Sequence, residues 1–385
     1  MRVALVGPFP LGRHVDGGIE AVMSELVAAL ARTDDDLSVH VVTVGEPSAV
    51  PTDEEAAARP AAGVTVIPPR RFARWTWYRG ERRDIAAAIE RIAPDVVHVH
   101  GLNFYAAAVD RFRGPVVMTP HGMLAHEARI VDAHSGVLER WSKRMRGLGN
   151  LWFERGALRR AEHLTAINAY VRDVLGPRTG AAWYDVCNPT PPAYFDLAAR
   201  SGHVRLLFVG AIEPRKAVLD LVAAVASVLE AEPSVRLRVV GPDRDARYAD
   251  EVRALAATSP HSDRITFDGP LSADAVIDAY SDSDVVVLAS VEETSPLVLQ
   301  QAMAGGRAVV ATSAGGISHM IRDGETGRLV PPGARDALAD ALLDVVRRPD
   351  AADEMIERAR HQARDRFHPD AVAAATLDVY RRVHR

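Results

Sequence analysis

Seven short runs in the first half of the chain are apolar almost throughout and rich in valine. They are Arg2–Val6, Ser38–Val44, Val64–Ile67, Val96–His100, Val116–Thr119, His163–Ala166 and Trp183–Val186. Alanine-rich stretches of helical spacing follow them, Ala21–Ala31 being the first. After the turn-rich Asn188–Tyr194 the alternation restarts with Val204–Val209, Arg236–Val240, Ile265–Phe267, Val285–Ala289, Ala308–Ala311 and Arg328–Val330. A strand that is apolar on both faces must be covered on both. Such strands alternating with helices predict parallel sheets flanked by helices. Two series of this kind predict an α/β chain of two doubly wound, Rossmann-like domains, at 1–190 and 203–365, with a hinge near 188–203. Residues 366–385 follow the last strand and repeat Val372, Ala375, Leu377, Val379 and Val383 at helical spacing. They predict a C-terminal helix free to cross back to the first domain.

Composition narrows the class. The 385 residues are 48% hydrophobic and 25% charged with a net charge of −5, which excludes intrinsic disorder. The one cysteine, Cys187, excludes a disulfide scaffold and suits a reducing compartment. No stretch approaches the ~20 apolar residues of a membrane span. The opening MRVALVGPFP turns from strand to Pro/Gly loop too early for a signal peptide, so a cytoplasmic location is expected. Residues 1–200 carry 24 basic against 23 acidic side chains and the remainder 22 against 28, which leaves no nucleic-acid footprint. Of the 46 cationic residues only Lys143 and Lys216 are lysine. With so much alanine, this reads as the codon usage of a GC-rich genome, and it makes a retained lysine worth following.

Ligands of open parallel sheets bind at the carboxyl ends of strands, where helix N-termini offer free N–H groups. Two facing sheets would put that chemistry in the cleft between them. After the first strand, Gly7–Gly12 and then Gly17-Gly18 lead into a helix, so a backbone could approach an anion closely there. This is not G-x-G-x-x-G, so the nicotinamide-cofactor fingerprint is missing. His121-Gly122 follows Val116–Thr119, and its imidazole could meet a sugar hydroxyl or a phosphate, or simply be satisfied by backbone. His98 and His100 alternate along a strand without a companion set at metal-ligand spacing, so no metal site is expected.

In the second domain Arg215 and Lys216 stand at the start of a helix, where two cations oppose the local dipole and each other. A di-anion such as a diphosphate lying between them would make sense of the pair. Glu293 and Gln301 are eight residues apart, and a helix between them would turn both to one face, able to hold two hydroxyl-rich parts of one ligand. The adjacent Glu292 is expected in solvent, and Asp282 and Asp284, ahead of a buried strand, are read as structural. Gly315-Gly316-Ile and Asp323–Gly327 complete the same face.

Together these residues resemble the GT-B glycosyltransferases, in particular the large retaining family 4 that uses nucleotide-sugar donors. The resemblance spans the chain: Gly17-Gly18, His121-Gly122, the phosphate turn ending at Lys216, the segment 293–301, Ala-Met-Ala-x-Gly, Gly315-Gly316-Ile and Asp-Gly-x-Thr-Gly-x-Leu-Val-Pro-Pro at 323–332. It implies an acceptor-binding first domain, a donor-binding second domain and transfer of a sugar to a hydroxyl with retention, without metal or other cofactor. It makes His121, Glu293 and Lys216 the catalytic candidates. His121 and Glu293 would lie by the transferred sugar, and Gly17, Gly18, Arg215, Lys216, Leu297, Val298 and Gln301 would bind the donor. The leaving phosphate would take the acceptor proton, so no separate strong base is assigned.

Three departures from the family pattern matter. The ribose-binding glutamate is Gln301, the arginine after the phosphate-turn glycine is Ala211, and the glycine inside the glutamate motif is Pro296. An amide can still accept one hydroxyl bond and donate another. Pro296 removes one N–H, which leaves Leu297 and Val298 to supply backbone donors. Arg215 could replace the charge missing at Ala211.

The acceptor is less defined. Trp75, Trp77 and Tyr78 are interleaved with arginines in 70–83, and 140–146 with 151–153 form a second such stretch. Both fit an acceptor cleft, a peripheral membrane contact reaching a lipid-linked glycan, or amphipathic helices packed on the first domain. The acceptor class therefore spans glycans, lipid-linked glycans and natural products. Two further readings remain open: a catalytically weak subunit that needs a partner, prompted by Gln301 and Ala211, and another GT-B activity such as a sugar-nucleotide epimerase or a phosphorylase.

Overall fold

The computed structural model describes residues 1–11, 17–33, 36–45, 63–69, 77–123, 151–198 and 204–385. The chain divides into two compact units, Met1–Pro189 with Pro369–Arg385, and Thr190–His368.

The first unit is built on a seven-stranded sheet. Its strands are β1 (Arg2–Val6), β2 (Ser38–Val44), β3 (Gly63–Ile67), β4 (Val96–His100), β5 (Val116–Thr119), β6 (His163–Ala166) and β7 (Ala182–Asp185). They lie in the order β3-β2-β1-β4-β5-β6-β7, and every pair is parallel. All five residues of β4 are buried, as a central strand covered on both faces requires. One layer of core packs Val97, Val99, Met118 and Leu164 with Ile85, Ile89 and Tyr105. The other packs Val3, Leu5, Val39 and Val117 with Met23, Leu26 and Leu30, and also with Val372, Leu377, Val379 and Tyr380. The C-terminal helix Pro369–Val383 thus supplies part of the first unit's core. Each large apolar side chain buried in this way contributes roughly 1.5–3 kcal/mol.

The second unit has a six-stranded parallel sheet in the order β10-β9-β8-β11-β12-β13. Its strands are β8 (Arg205–Val209), β9 (Arg236–Val240), β10 (Ile265–Gly269), β11 (Val285–Leu288), β12 (Ala308–Thr312) and β13 (Arg328–Val330). β10 runs two residues past the apolar run because the pairing shifts between Phe267 and Gly269, so the polar Asp268 is carried within the strand. β7 starts and ends one residue earlier than its apolar pattern suggests.

Each sheet has one place where the strand order reverses direction, between β1 and β4 in the first unit and between β8 and β11 in the second. At such a switch point the following loops part on opposite faces and leave a crevice beyond the strand ends.

Candidate active site

The loops that leave β8 and β11 meet at the second switch point. The first ends in a short 3₁₀ turn, Pro214–Lys216, closed by Ala217 in the left-handed conformation (φ 48°) before helix Val218–Ala231. The Val291 N–H donates to the Arg215 carbonyl at 2.9 Å and ties the two loops together. Glu293 arrives from the β11 side with only 6% of its surface exposed. Lys216 Nζ donates to its Oε1 at 2.6 Å, and Arg215 Nη1 lies 3.3 Å from its Oε2. Ser290 Oγ donates to the same Oε1 at 2.7 Å. Arg215 also donates to the Glu292 carbonyl at 3.1 Å and to Glu213 Oε1 at 3.0 Å.

Burial pushes the Glu293 carboxyl up, but the Lys216 and Arg215 charges and the bonds from Lys216 and Ser290 outweigh it. The net effect holds the group below the usual carboxylate range. The adjacent cations are therefore compensated from within the chain: a carboxylate lies between them, where the like-charge clash alone pointed to a diphosphate.

The backbone of Glu293 is fixed as well. Gly316 N–H donates to its carbonyl at 2.8 Å. Gly315 sits at φ 50°, where a Cβ would run into the Glu293 carbonyl and the Glu292 side chain. Glu292 is buried at 6% exposure, contrary to the expectation of a solvated side chain, because this glycine loop packs onto it.

The expected common helical face of Glu293 and Gln301 is not formed. The helix begins only at Leu297, after Pro296 in extended geometry, which leaves Glu293 in the loop and Gln301 in the second turn. The reason is steric: the residue before a proline avoids helical backbone, so the helix cannot extend back through Ser295 to Glu293. Leu297 and Val298 occupy its first turn, where backbone N–H groups have no partner inside the helix. The fully buried Tyr280 steers Gln301, its hydroxyl lying 3.1 Å from Gln301 Oε1 and 3.0 Å from the Val298 carbonyl. Asp284 is structural as expected, its Oδ2 accepting the Arg205 backbone N–H at 3.1 Å.

In the first unit the strand ends carry imidazoles. His98 and His100, both 1% exposed, have ring centroids 4.3 Å apart. His98 Nδ1 is 2.6 Å from the Tyr380 hydroxyl, and its Nε2 is 2.7 Å from Thr119 Oγ1, which in turn is 2.5 Å from Thr165 Oγ1. His100 Nδ1 bonds His121 Nε2 at 2.9 Å with the rings stacked at 15°, so a side chain satisfies one nitrogen of His121. Such a bond requires one neutral lone pair, and burial lowers all three imidazoles, His98 to about 3 and His121 to about 4. Among the described residues the buried Nε2 of His100 has no hydrogen-bond partner. Gly7, at the end of β1, packs against His100, where a Cβ would come within 3.0 Å of the His100 Cβ. Gly17 and Gly18 open helix Gly18–Thr33 and are exposed.

The structure thus joins Arg215, Lys216 and Glu293 directly, sets Leu297, Val298 and Gln301 on the helix that follows, and places Gly17, Gly18 and His121 in the other unit. Trp75 and the side chains of Trp77 and Tyr78 lie outside the described residues, as does 140–146, whereas Trp152 is described and 64% exposed. Sequence reasoning passed over Ser290 and Tyr280, and weighed His100 only with His98 as a metal candidate. A serine two residues past an apolar strand was the available signal for Ser290, but Tyr280 acts from a different helix and had none. Among the described residues no group of three His, Cys, Asp or Glu could hold a metal ion, and no helix is long and apolar enough to cross a membrane.

Comparison with known proteins agrees with this geometry. Residues 16–186 match the family described as Glycosyltransferase Family 4, and residues 203–348 match Glycosyl transferases group 1. The D-inositol 3-phosphate glycosyltransferase of Streptomyces coelicolor is 36% identical over 180 residues, 45% of this chain and 39% of that protein. Its counterpart in Kribbella flavida is 34% identical over 191 residues, 48% of this chain and 45% of that protein. The match thus spans less than half the length of these relatives. Among solved structures, sucrose-phosphate synthase from Thermosynechococcus elongatus superposes with a TM-score of 0.79 at 20% identity, covering 99% of this chain and 98% of that one. Anabaena Alr3699/HepE in complex with UDP and glucose gives 0.76 at 17%, covering 99% and 100%. These structures share the fold. With both halves matched in order and the parallel sheets in place, the chain belongs to glycosyltransferase family 4, the group 1 glycosyltransferases, and has their GT-B fold.

Proposed function

We propose that the protein transfers a sugar from a nucleoside-diphosphate sugar to an acceptor hydroxyl, with retention at the anomeric carbon and without a metal ion. The observation that carries this reading is the Arg215–Glu293–Lys216 cluster at the β8/β11 switch point, beside the first-turn amides of Leu297 and Val298, which have no partner within their helix. A departing diphosphate needs positive charge that is in place before the bond breaks. A buried carboxylate that holds two cations supplies it without reorganisation.

In this reading Lys216 and Arg215 take the growing phosphate charge, and the first-turn amides add oriented dipoles. Gln301 binds the ribose hydroxyls through its amide. Neutral His121 exchanges a hydrogen bond with a hydroxyl of the transferred sugar, and Gly17-Gly18 offers backbone N–H groups to the diphosphate. Same-face attack lets the leaving phosphate accept the acceptor proton: the sugar–phosphate C–O bond breaks, the new C–O bond forms, and the proton passes to the phosphate oxygen. The complex of HepE with UDP and glucose makes UDP-glucose the first donor to try, and the named inositol-phosphate relatives make a polyol phosphate the first acceptor.

The test is a thermal-shift panel of nucleoside diphosphates and their sugars, followed by product analysis with the purified chain. A true donor raises the midpoint by mass action, and NMR of the product reports the anomeric configuration. An inverted product would sink retention, and a chain that no nucleotide stabilises would sink the donor assignment. Donor consumption without acceptor would point to epimerase chemistry instead.

A further inference from the structure

Far from the loops that carry the transferase chemistry, at the opposite ends of the second unit's strands, four arginines line one cavity of about 150 Å³. They are Arg205 on β8, Arg236 and Arg238 on β9, and Arg264 just before β10; Thr266, Asp282 and Ser283 complete its polar lining. The pairing register sets three of them in a row. Arg205 pairs with Arg236, and Ile265 pairs with Leu237, so Arg264 stands one place back, beside Arg236. Adjacent strands are only ~4.8 Å apart, and like charges directly opposite one another are unfavourable.

Carboxylates within the unit answer part of this charge. Arg238 Nε pairs with Asp268 at 2.5 Å, and Arg205 lies 3.9 Å from Asp282. Asp284 accepts the backbone N–H of Arg205. Arg236 and Arg264 have no carboxylate partner among the described residues. Two uncompensated guanidiniums therefore face one small concavity at positions where the fold forces them together.

We propose that this cavity is a binding site for a phosphate-type oxyanion, either free phosphate or the phosphate group of a monoester, held by Arg236 and Arg264 with Arg205 at the rim. A guanidinium donates two parallel N–H bonds to such an oxyanion, and converging arginines suit a doubly charged one. At ~30 Å³ per water the space equals on the order of five water molecules, enough for a phosphate group but not for a nucleotide sugar. The inference does not rest on the transferase reading, since none of these residues belongs to the Arg215–Glu293–Lys216 cluster.

The test compares wild type, the double variant Arg236→Gln/Arg264→Gln, the single Arg264→Gln and Lys216→Ala by calorimetric titration with inorganic phosphate and with glycerol 3-phosphate, ionic strength being matched with sodium chloride. Lys216→Ala, which removes phosphate binding at the transferase site, is expected to keep this site's binding, whereas the double variant loses at least tenfold in affinity at this site and the single variant falls between. In chloride alone the double variant melts no lower than wild type, because the row of like charges is relieved. Tighter binding of glycerol 3-phosphate than of phosphate identifies a monoester as the natural form, and the reverse order identifies the free ion. Loss of all phosphate heat in Lys216→Ala overturns the site, as does a double variant whose phosphate isotherm matches that of wild type. So does a wild type that responds to phosphate no more than to chloride, or a double variant that melts well below wild type, which would make the arginines structural. Failure of the transferase reading would remove the difference between wild type and Lys216→Ala and leave the loss in the double variant unchanged.

Discussion

The Lys216 ammonium and the Glu293 carboxylate, 77 residues apart in sequence, are joined by a 2.6 Å charge-assisted hydrogen bond. The two loops that bring them together leave strands β8 and β11, which are neighbours in the sheet. With 13% and 7% of their side chains exposed, neither partner is well hydrated, so each depends on the other. The pair fixes a positive charge in position while keeping its carboxylate ionised at neutral pH.

Lys216→Ala is expected to lower kcat/KM for transfer at least ~100-fold, the scale of losing one preorganised electrostatic contact. Steady-state kinetics with a donor identified by thermal shift checks this. Wild-type turnover in the variant would remove Lys216 from the phosphate site.

Gly315→Ala is expected to destabilise the second unit by at least ~1–2 kcal/mol, the usual cost of left-handed backbone for a residue with a Cβ. The new methyl would also press on the Glu293 carbonyl that Gly316 now anchors. Urea unfolding reads the loss, and donor affinity should fall with it. A variant as stable as wild type would mean that this glycine does not fix the Glu293 loop.

Gln301→Glu is expected to keep or improve donor affinity. A carboxylate can still accept from the Tyr280 hydroxyl and from ribose hydroxyls. Titration of a nucleoside diphosphate into both proteins decides the point; loss of measurable binding would show that Gln301 does something other than hold a ribose.

Tyr380→Phe is expected to cost ~1–3 kcal/mol, because it leaves a buried His98 nitrogen without its partner. Since Tyr380 lies on the C-terminal helix, the loss should appear in the melting of the first unit. No change in denaturation midpoint would show that apolar packing alone seats this helix.

The histidines make stability depend on pH. The free imidazole takes up its proton near pH 6.5, whereas burial delays His98 in the folded chain to about 3 and also lowers His100. Between those values the unfolded state binds more protons, so stability falls as pH drops below about 6.5. The melting temperature should decline steadily from pH 7 toward 4.5. A flat profile over that range would mean that the buried rings are already protonated when folded.

Much of this was legible in the chain itself. Val96–His100 announces a strand covered on both faces, and Asn188–Tyr194 marks where the first series of strands ends. Lys216 stood out as one of two lysines, set beside Arg215 at a helix start, and Glu293 and Gln301 by their eight-residue spacing after a strand. The reading of Glu293 and Gln301 as helical neighbours failed at Pro296, whose effect on where the helix starts outweighs the eight-residue spacing. The solvated Glu292 failed because its cover, Gly315, lies 23 positions away.

Local order is what the sequence by itself determined: strand runs, helix positions and the glycine turns at strand ends follow from periodicity and backbone sterics within a few residues. Pairing is what only the tertiary structure decided. Sheet order sets β8 beside β11 and thereby puts one carboxylate between two cations; strand register lines up Arg205, Arg236 and Arg264; and the return of the last helix brings Tyr380 to His98. None of these contacts can be read along the chain, because each arises from elements whose separation in sequence says nothing about their separation in space.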